Sequence, residues 1–150
     1  MKQLLLNLEN NSDEDWAYLA GLIDGEGSVG IYYNKWSDGH FMQVQIGNMD
    51  KTLIDWIHLK FKGRRYLNRK TKFHLVKWHG RHAKEILDNV NPYLISKAGE
   101  AKVALMFAET LQTKGANQHS RKKITDDILK KRDNLVDLIK VTREKKYKNV

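Results

Sequence analysis

Cysteine is absent from the 150 residues, which excludes disulfides, thiolate chemistry and cysteine-built zinc sites. Proline occurs once, as Pro92, where it is expected to close a helix. No apolar run is long enough to cross a membrane. The opening Leu4-Leu5-Leu6 is too short for a signal peptide, so an intracellular chain with no membrane partner is expected. Acidic residues are missing from residues 60–84, which hold ten Lys and Arg and no Asp or Glu.

What is present is charge, unevenly spread. The net charge is +9, yet residues 1–26 carry six acids and one lysine, and residues 114–150 carry twelve basic residues against five acids. Basic blocks around an acidic segment suit a polyanion held over a cation. A merely soluble basic surface is the plainer reading of the charge alone. The length fits one domain with a core of its own: a flexible lead over 1–12, a core over 13–113, and a basic helical extension over 114–150.

The acidic segment ends in Leu19-Ala20-Gly21-Leu22-Ile23-Asp24-Gly25-Glu26-Gly27. Ser12, with Asp15 three residues on, predicts a capping box, and Asp13, Glu14 and Asp15 suit the helix start. The helix is expected to run to Asp24 and stop at Gly25. Gly25 to Gly30 also satisfies G-x-G-x-x-G, but a dinucleotide site needs a strand before it and a helix after it, the reverse of the order here.

Alternation then predicts strands over 28–33 and 40–47 joined at Asp38-Gly39. Val29, Ile31, Tyr33, Met42, Val44 and Ile46 lie on the core face, and Tyr32, Asn34, Gln43 and Gln45 lie opposite. An amide-rich face can read base edges, adenine in particular. Asp50 caps a helix that Gly63 ends. A second hairpin over 64–69 and 72–79 follows, its inward set undecided between Phe73, Leu75, Lys77 and His74, Val76, Trp78. Helices follow over 80–90, 97–113 and from about Ser120, with a frayed end over 143–148. The order predicts an α+β domain with one antiparallel sheet, helices on one face and a ligand on the other. His79-x-x-His82 lacks further ligands for zinc.

Carboxylates between glycines bring oxygen ligands to a cation. Mg²⁺ is typically held by one or two of them, with waters and substrate phosphates completing its shell. Asp24 or Glu26 can supply the ligand. Because the motif occurs once and a duplex has two scissile phosphates, two-fold pairing of chains through the motif helix is expected. The seam is assigned to Trp16, Ala20, Gly21, Ile23 and Asp24.

The nine-residue motif and the element order αββαββα resemble the LAGLIDADG homing endonucleases, single-motif type, over about residues 12–113. The resemblance implies a saddle-shaped sheet in the DNA major groove and a double-strand break at a long, pseudo-palindromic site by metal-dependent phosphodiester hydrolysis. It implies Glu26 as metal ligand with the Gly25 carbonyl, Asn48 positioning water or metal, and Lys97 beside the scissile phosphate. The cofactor implied is Mg²⁺, with Mn²⁺ as a substitute and Ca²⁺ supporting binding without cleavage. DNA contact falls to Ser28, Tyr32, Asn34, Lys35, Gln43, Gln45, Asn68, Lys70 and His74. The alternative is an intron maturase, with intron RNA as partner, or a non-cleaving binding protein on the same fold.

Overall fold

The computed structural model describes residues 8–36, 39–111 and 124–148. The Asp38 turn, the start of the last helix near Ser120 and the lead before Leu8 lie outside them. The elements run α1 (Asp13–Glu26), β1 (Gly27–Asn34), β2 (Gly39–Asn48), α2 (Lys51–Phe61), β3 (Arg64–Asn68), β4 (Phe73–His79), α3 (Gly80–Val90), a 3₁₀ turn at Asn91–Tyr93, α4 (Ala98–Ala108) and α5 (Asp126–Lys148). Among the described residues, no helix is long and apolar enough to cross a membrane.

Local chemistry starts the helices. Ser12 Oγ accepts from Asp15 N–H at 3.1 Å while the Asp15 carboxylate accepts from Ser12 N–H, closing the capping box. Lys60 Nζ reaches the same carboxylate at 3.0 Å, so α1 is pinned to α2 at its first turn. Asp50 caps α2 through the Thr52 and Leu53 N–H groups. At the far end of α2, Lys62 and Gly63 take positive φ angles of 60° and 90°. The buried Trp78 indole donates to the Phe61 carbonyl there, satisfying one of the helix's last acceptors.

The four strands form one antiparallel sheet in the order β1-β2-β4-β3. Register puts Val29, Ile31, Met42, Val44, Ile46, Val76 and Trp78 on the helix side, where they meet Leu19, Ile23, Ile54, Ile57, Phe61, Ile86, Leu87 and Phe107 in one buried core. Each fully buried aliphatic side chain there is worth roughly 1.5–3 kcal/mol. Both hairpins thus place an apolar face on the helices and leave the other face open.

Several boundaries differ from the sequence expectation. α4 ends at Ala108 rather than 113, where the Thr110 and Leu111 N–H groups turn back onto the Phe107 and Ala108 carbonyls, and α5 begins at Asp126 rather than near Ser120, with Thr125 Oγ1 accepting from Ile128 N–H. α1 does not stop at Gly25; it continues through Glu26 and enters β1 at Gly27 without a loop. Gly27 has extended φ, so its glycine is required by space: a Cβ there would lie 2.8 Å from the Ile23 Cα and 2.9 Å from the Gln45 carbonyl oxygen. The 143–148 segment is helical rather than frayed, because its side chains are anchored. Arg143 donates to the Val29 carbonyl on the free edge of β1, and Lys146 pairs with the buried Glu100 at 2.6 Å.

Gly27→Ala is expected to destabilise the chain by about 1–3 kcal/mol, since the clash is with backbone that cannot yield. Chemical denaturation checks it; an unchanged midpoint would show that α1 and β1 can separate.

Candidate nuclease site and nucleic-acid interface

The direct passage from α1 into β1 places Glu26 at the helix C-terminus, exposed, beside the end of β2. Asn48 Nδ2 donates to Glu26 Oε2, and Asn48 Oδ1 accepts from Asp50 N–H at 2.7 Å. The amide is therefore oriented by the α2 cap and in turn orients the Glu26 carboxylate. The last carbonyls of a helix lack intrahelical partners and carry its negative dipole end. α1 has no basic residue in its last turn to neutralise that end. Glu26 and the adjacent Gly25 carbonyl form an oxygen-rich, exposed corner that fits a hard cation whose shell is completed by phosphate and water. Among the described residues no three His, Cys, Asp or Glu side chains converge as a self-sufficient metal cage.

Asp24 has a different task from Glu26. Its two oxygens accept from Ile95 N–H and Lys97 N–H, each at 2.8 Å, and its carbonyl accepts from Lys97 Nζ at 2.7 Å. The carboxylate thus holds the entry to α4, and the backbone of the motif holds the lysine head. Lys97 is half-buried, and its pKa is lowered. Desolvation is the main cause and Lys146 the next; Arg143 adds to the lowering, while Asp24 and Glu100 oppose it. Motif, Asn48 and Lys97 make one hydrogen-bonded constellation from residues spread over more than seventy positions of sequence.

The seam assigned to α1 is corrected by burial. Trp16, Ala20 and Ile23 face the chain's own core and have no surface to offer a partner. The exposed stripe of the same helix is Ala17, Gly21 and Gly25, with Asp24 beside it. Nothing stands within 4 Å of a Cβ built on Gly21 or Gly25. A helix seen from sequence as apolar nearly all round left the choice of face open.

The open face of the sheet carries Ser28, Gly30, Tyr32 and Asn34 from β1, and Phe41, Gln43 and Gln45 from β2. Register adds Leu75, Lys77 and His79 from β4, and Arg64, Tyr66 and Asn68 from β3. Ser28 Oγ is buried without a hydrogen-bond partner, and Lys77 lies over the Tyr66 ring at 4.9 Å. Lys35 and Lys70 sit in the hairpin turns; Lys35 lies over Trp36, and the Lys70 N–H is held by Asn68 Oδ1 at 3.1 Å. Asn34 Oδ1 accepts from Trp36 N–H, so part of its polar capacity shapes the turn. An open hollow of about 720 Å³ at this face is lined by Lys62, Arg64, Lys77 and His79 among others.

Two expectations for this face change. His74 pairs with Asn48 and Leu67 and shares the helix side with Val76 and Trp78, so it does not look onto the open face. Both halves of the β4 alternation contain large apolar residues, which is why sequence could not choose. Gln43 is on the expected face but is 8 % exposed, with its oxygen and nitrogen both engaged by protein. Lys77 and His79 belong to the face and were not singled out for it from sequence; only strand register identifies them.

No family model matches the sequence, and no curated protein matches it. Solved structures do match. Homing endonuclease I-CvuI, in complex with a DNA target not cleaved in the presence of magnesium, is 17% identical over 86% of this chain and 82% of its own, with a TM-score of 0.72. LAGLIDADG homing endonuclease I-GzeII in complex with its DNA target is 20% identical over 81% of this chain and 43% of its own, with a TM-score of 0.64. An archaeal intron-encoded homing endonuclease complexed with DNA is 12% identical over 87% of this chain and 97% of its own, with a TM-score of 0.58. The fold of this chain is that of the LAGLIDADG homing endonucleases.

Asp24→Asn replaces one acceptor by a donor facing a backbone N–H. A loss of about 1–3 kcal/mol in unfolding free energy is expected. A denaturation curve matching the parent would mean that Asp24 does not hold the start of α4.

Proposed function

We propose that this chain is a homing endonuclease of the LAGLIDADG class, which pairs with a second copy and cuts both strands of a long, pseudo-palindromic DNA site by metal-dependent phosphodiester hydrolysis. The observation that carries the reading is the linked set of Glu26, Asn48, Asp24 and Lys97 at the end of a helix whose exposed stripe is Ala17, Gly21 and Gly25. The same constellation favours cleavage over a binding-only role, because a protein that only bound nucleic acid would need neither the oriented carboxylate nor the desolvated lysine.

Glu26 and the Gly25 carbonyl would hold Mg²⁺, with Mn²⁺ as a substitute. The bound cation supplies polarisation of the phosphate and a more acidic water. Asn48 keeps Glu26 in one rotamer through its amide N–H. Lys97 brings a positive head group to the phosphate oxygens on which charge builds as water attacks phosphorus and the deoxyribose oxygen leaves; its tether to the Asp24 carbonyl fixes where that head sits. On the open face, Gln45, Tyr32 and Asn34 stand where base edges would pass. Lys35, Lys70, Lys77 and Arg64 suit phosphates, which makes binding fall steeply with salt.

One copy offers one carboxylate and one lysine, while a duplex presents two scissile phosphates. A C₂ pair across the small-residue stripe supplies both. The match to less than half of the I-GzeII chain supports a working unit built from two such folds.

Glu26→Gln is expected to abolish cleavage of a selected duplex in Mg²⁺ while binding in Ca²⁺ stays within a few fold; equal loss of both would remove Glu26 from the metal. Among the described residues nothing stands within 4 Å of a Cβ built on Gly21, on the exposed side of α1. Gly21→Leu should therefore keep the fold but shift sedimentation from dimer to monomer and stop double-strand cutting. A fully active Gly21→Leu dimer would place the seam elsewhere.

A further inference from the structure

The middle of the open face holds a hydrogen-bonded row that neither the cation site nor phosphate binding requires. His79 and Gln43 are register partners across β4 and β2, and His79 Nε2 lies 2.9 Å from Gln43 Oε1. Gln43 Nε2 donates to Gln45 Oε1, also at 2.9 Å. An amide oxygen only accepts, so the ring nitrogen that meets Gln43 carries the proton. The row has one direction: His79 to Gln43, Gln43 to Gln45, with the Gln45 amide nitrogen left at the end.

Burial, aided by the positive charges of Lys77 and Arg64, holds the His79 pKa below the usual imidazole value. At neutral pH the ring therefore has a single N–H, and the bond to Gln43 puts it on Nε2. The rings of Tyr32, Phe41 and His79 run side by side here, with centroids 5.9 and 5.8 Å apart. Gln43 has no exposed polar atom to spare, whereas Gln45 is half-exposed.

Resting on the DNA reading above, we propose that His79 and Gln43 are positioning residues that lock the amide of Gln45 with its nitrogen toward the groove, making Gln45 select guanine over adenine. A free glutamine favours adenine, because it donates to N7 and accepts from N6–H at once. Here the oxygen is turned along the sheet toward Gln43, one of its two lone pairs in use, so the nitrogen is the half that remains for the groove. Guanine presents two acceptors, N7 and O6, to that donating half.

Two measurements test this. Nitrogen NMR of the free protein, with His79 assigned through its backbone, should show the proton on Nε2; a proton on Nδ1 would reverse the row and overturn the inference with no variant needed. Selection from a randomised duplex library in Ca²⁺ gives the second. Gln45→Ala should erase the preference at one base pair per half-site, where the parent prefers guanine. His79→Phe and Gln43→Leu should each move that pair toward adenine by about tenfold and leave the other positions alone. A parent preference for adenine there, or indifference to both variants, overturns the inference alone. A parent chain that enriches no sequence overturns the DNA reading and the inference with it.

Discussion

The passage of α1 into β1 through Gly27 is the constraint on which the site depends. With no loop between them, the last helical residue and the first strand residue are neighbours in sequence and must be neighbours in space. The helix packs at the Ile23 backbone against a strand whose partner carbonyl, that of Gln45, is within van der Waals reach. This fixes the rotation of α1 about its axis. Leu19, Ala20 and Ile23 then face the sheet, Ala17, Gly21 and Gly25 face outward, and Glu26 projects at the junction of helix end and open sheet face. A longer connection would give each of these assignments a freedom that the direct passage removes.

Asp24 extends the same rigidity to the lysine. Lys97 comes from a part of the chain that has no local reason to sit beside the motif, and its position is set by its own two hydrogen bonds to Asp24 and by a third that the neighbouring Ile95 N–H donates to the same carboxylate. α5 bears on the same corner: Lys146 closes on Glu100 within the first turn of α4, and Arg143 caps the exposed edge of β1. Glu100 is buried and Lys146 partly exposed, so breaking the pair would leave the buried carboxylate without its cation. α5 is thereby tied to α4 and β1, and one carbonyl on the free edge of β1, that of Val29, is taken up within the chain.

The fold was largely legible before any coordinates. Ser12 and Asp50 announced their caps, Gly63 its helix end, and the alternations of β1 and β2 assigned Val29, Ile31, Met42, Val44 and Ile46 to the core. What was not legible has a common physical origin. Trp16, Ala20 and Ile23 were placed at a seam because an apolar helix does not say which side its own sheet takes. His74 was placed on the open face because β4 carries large apolar residues in both phases. The end of α5 looked frayed because its anchors, Val29 and Glu100, are more than forty residues away in sequence. In each case a local pattern was sound and a long-range partner decided its meaning.

The two faces of the proposed enzyme impose opposite demands on polar groups. At the proposed cation corner, unsatisfied oxygens are useful, and Asn48 engages one oxygen of the exposed Glu26 carboxylate at the end of α1. On the reading face, satisfied groups are useful, since an amide free to flip presents two patterns to a base and discriminates between none. Gln43 illustrates the second case: with its amide engaged by His79 and Gln45 it is committed to the protein, and it orients the amide of its neighbour. Rigidity is thus supplied to chemistry by Gly27 and Asp24, and to recognition by a row of three polar side chains on adjacent strands.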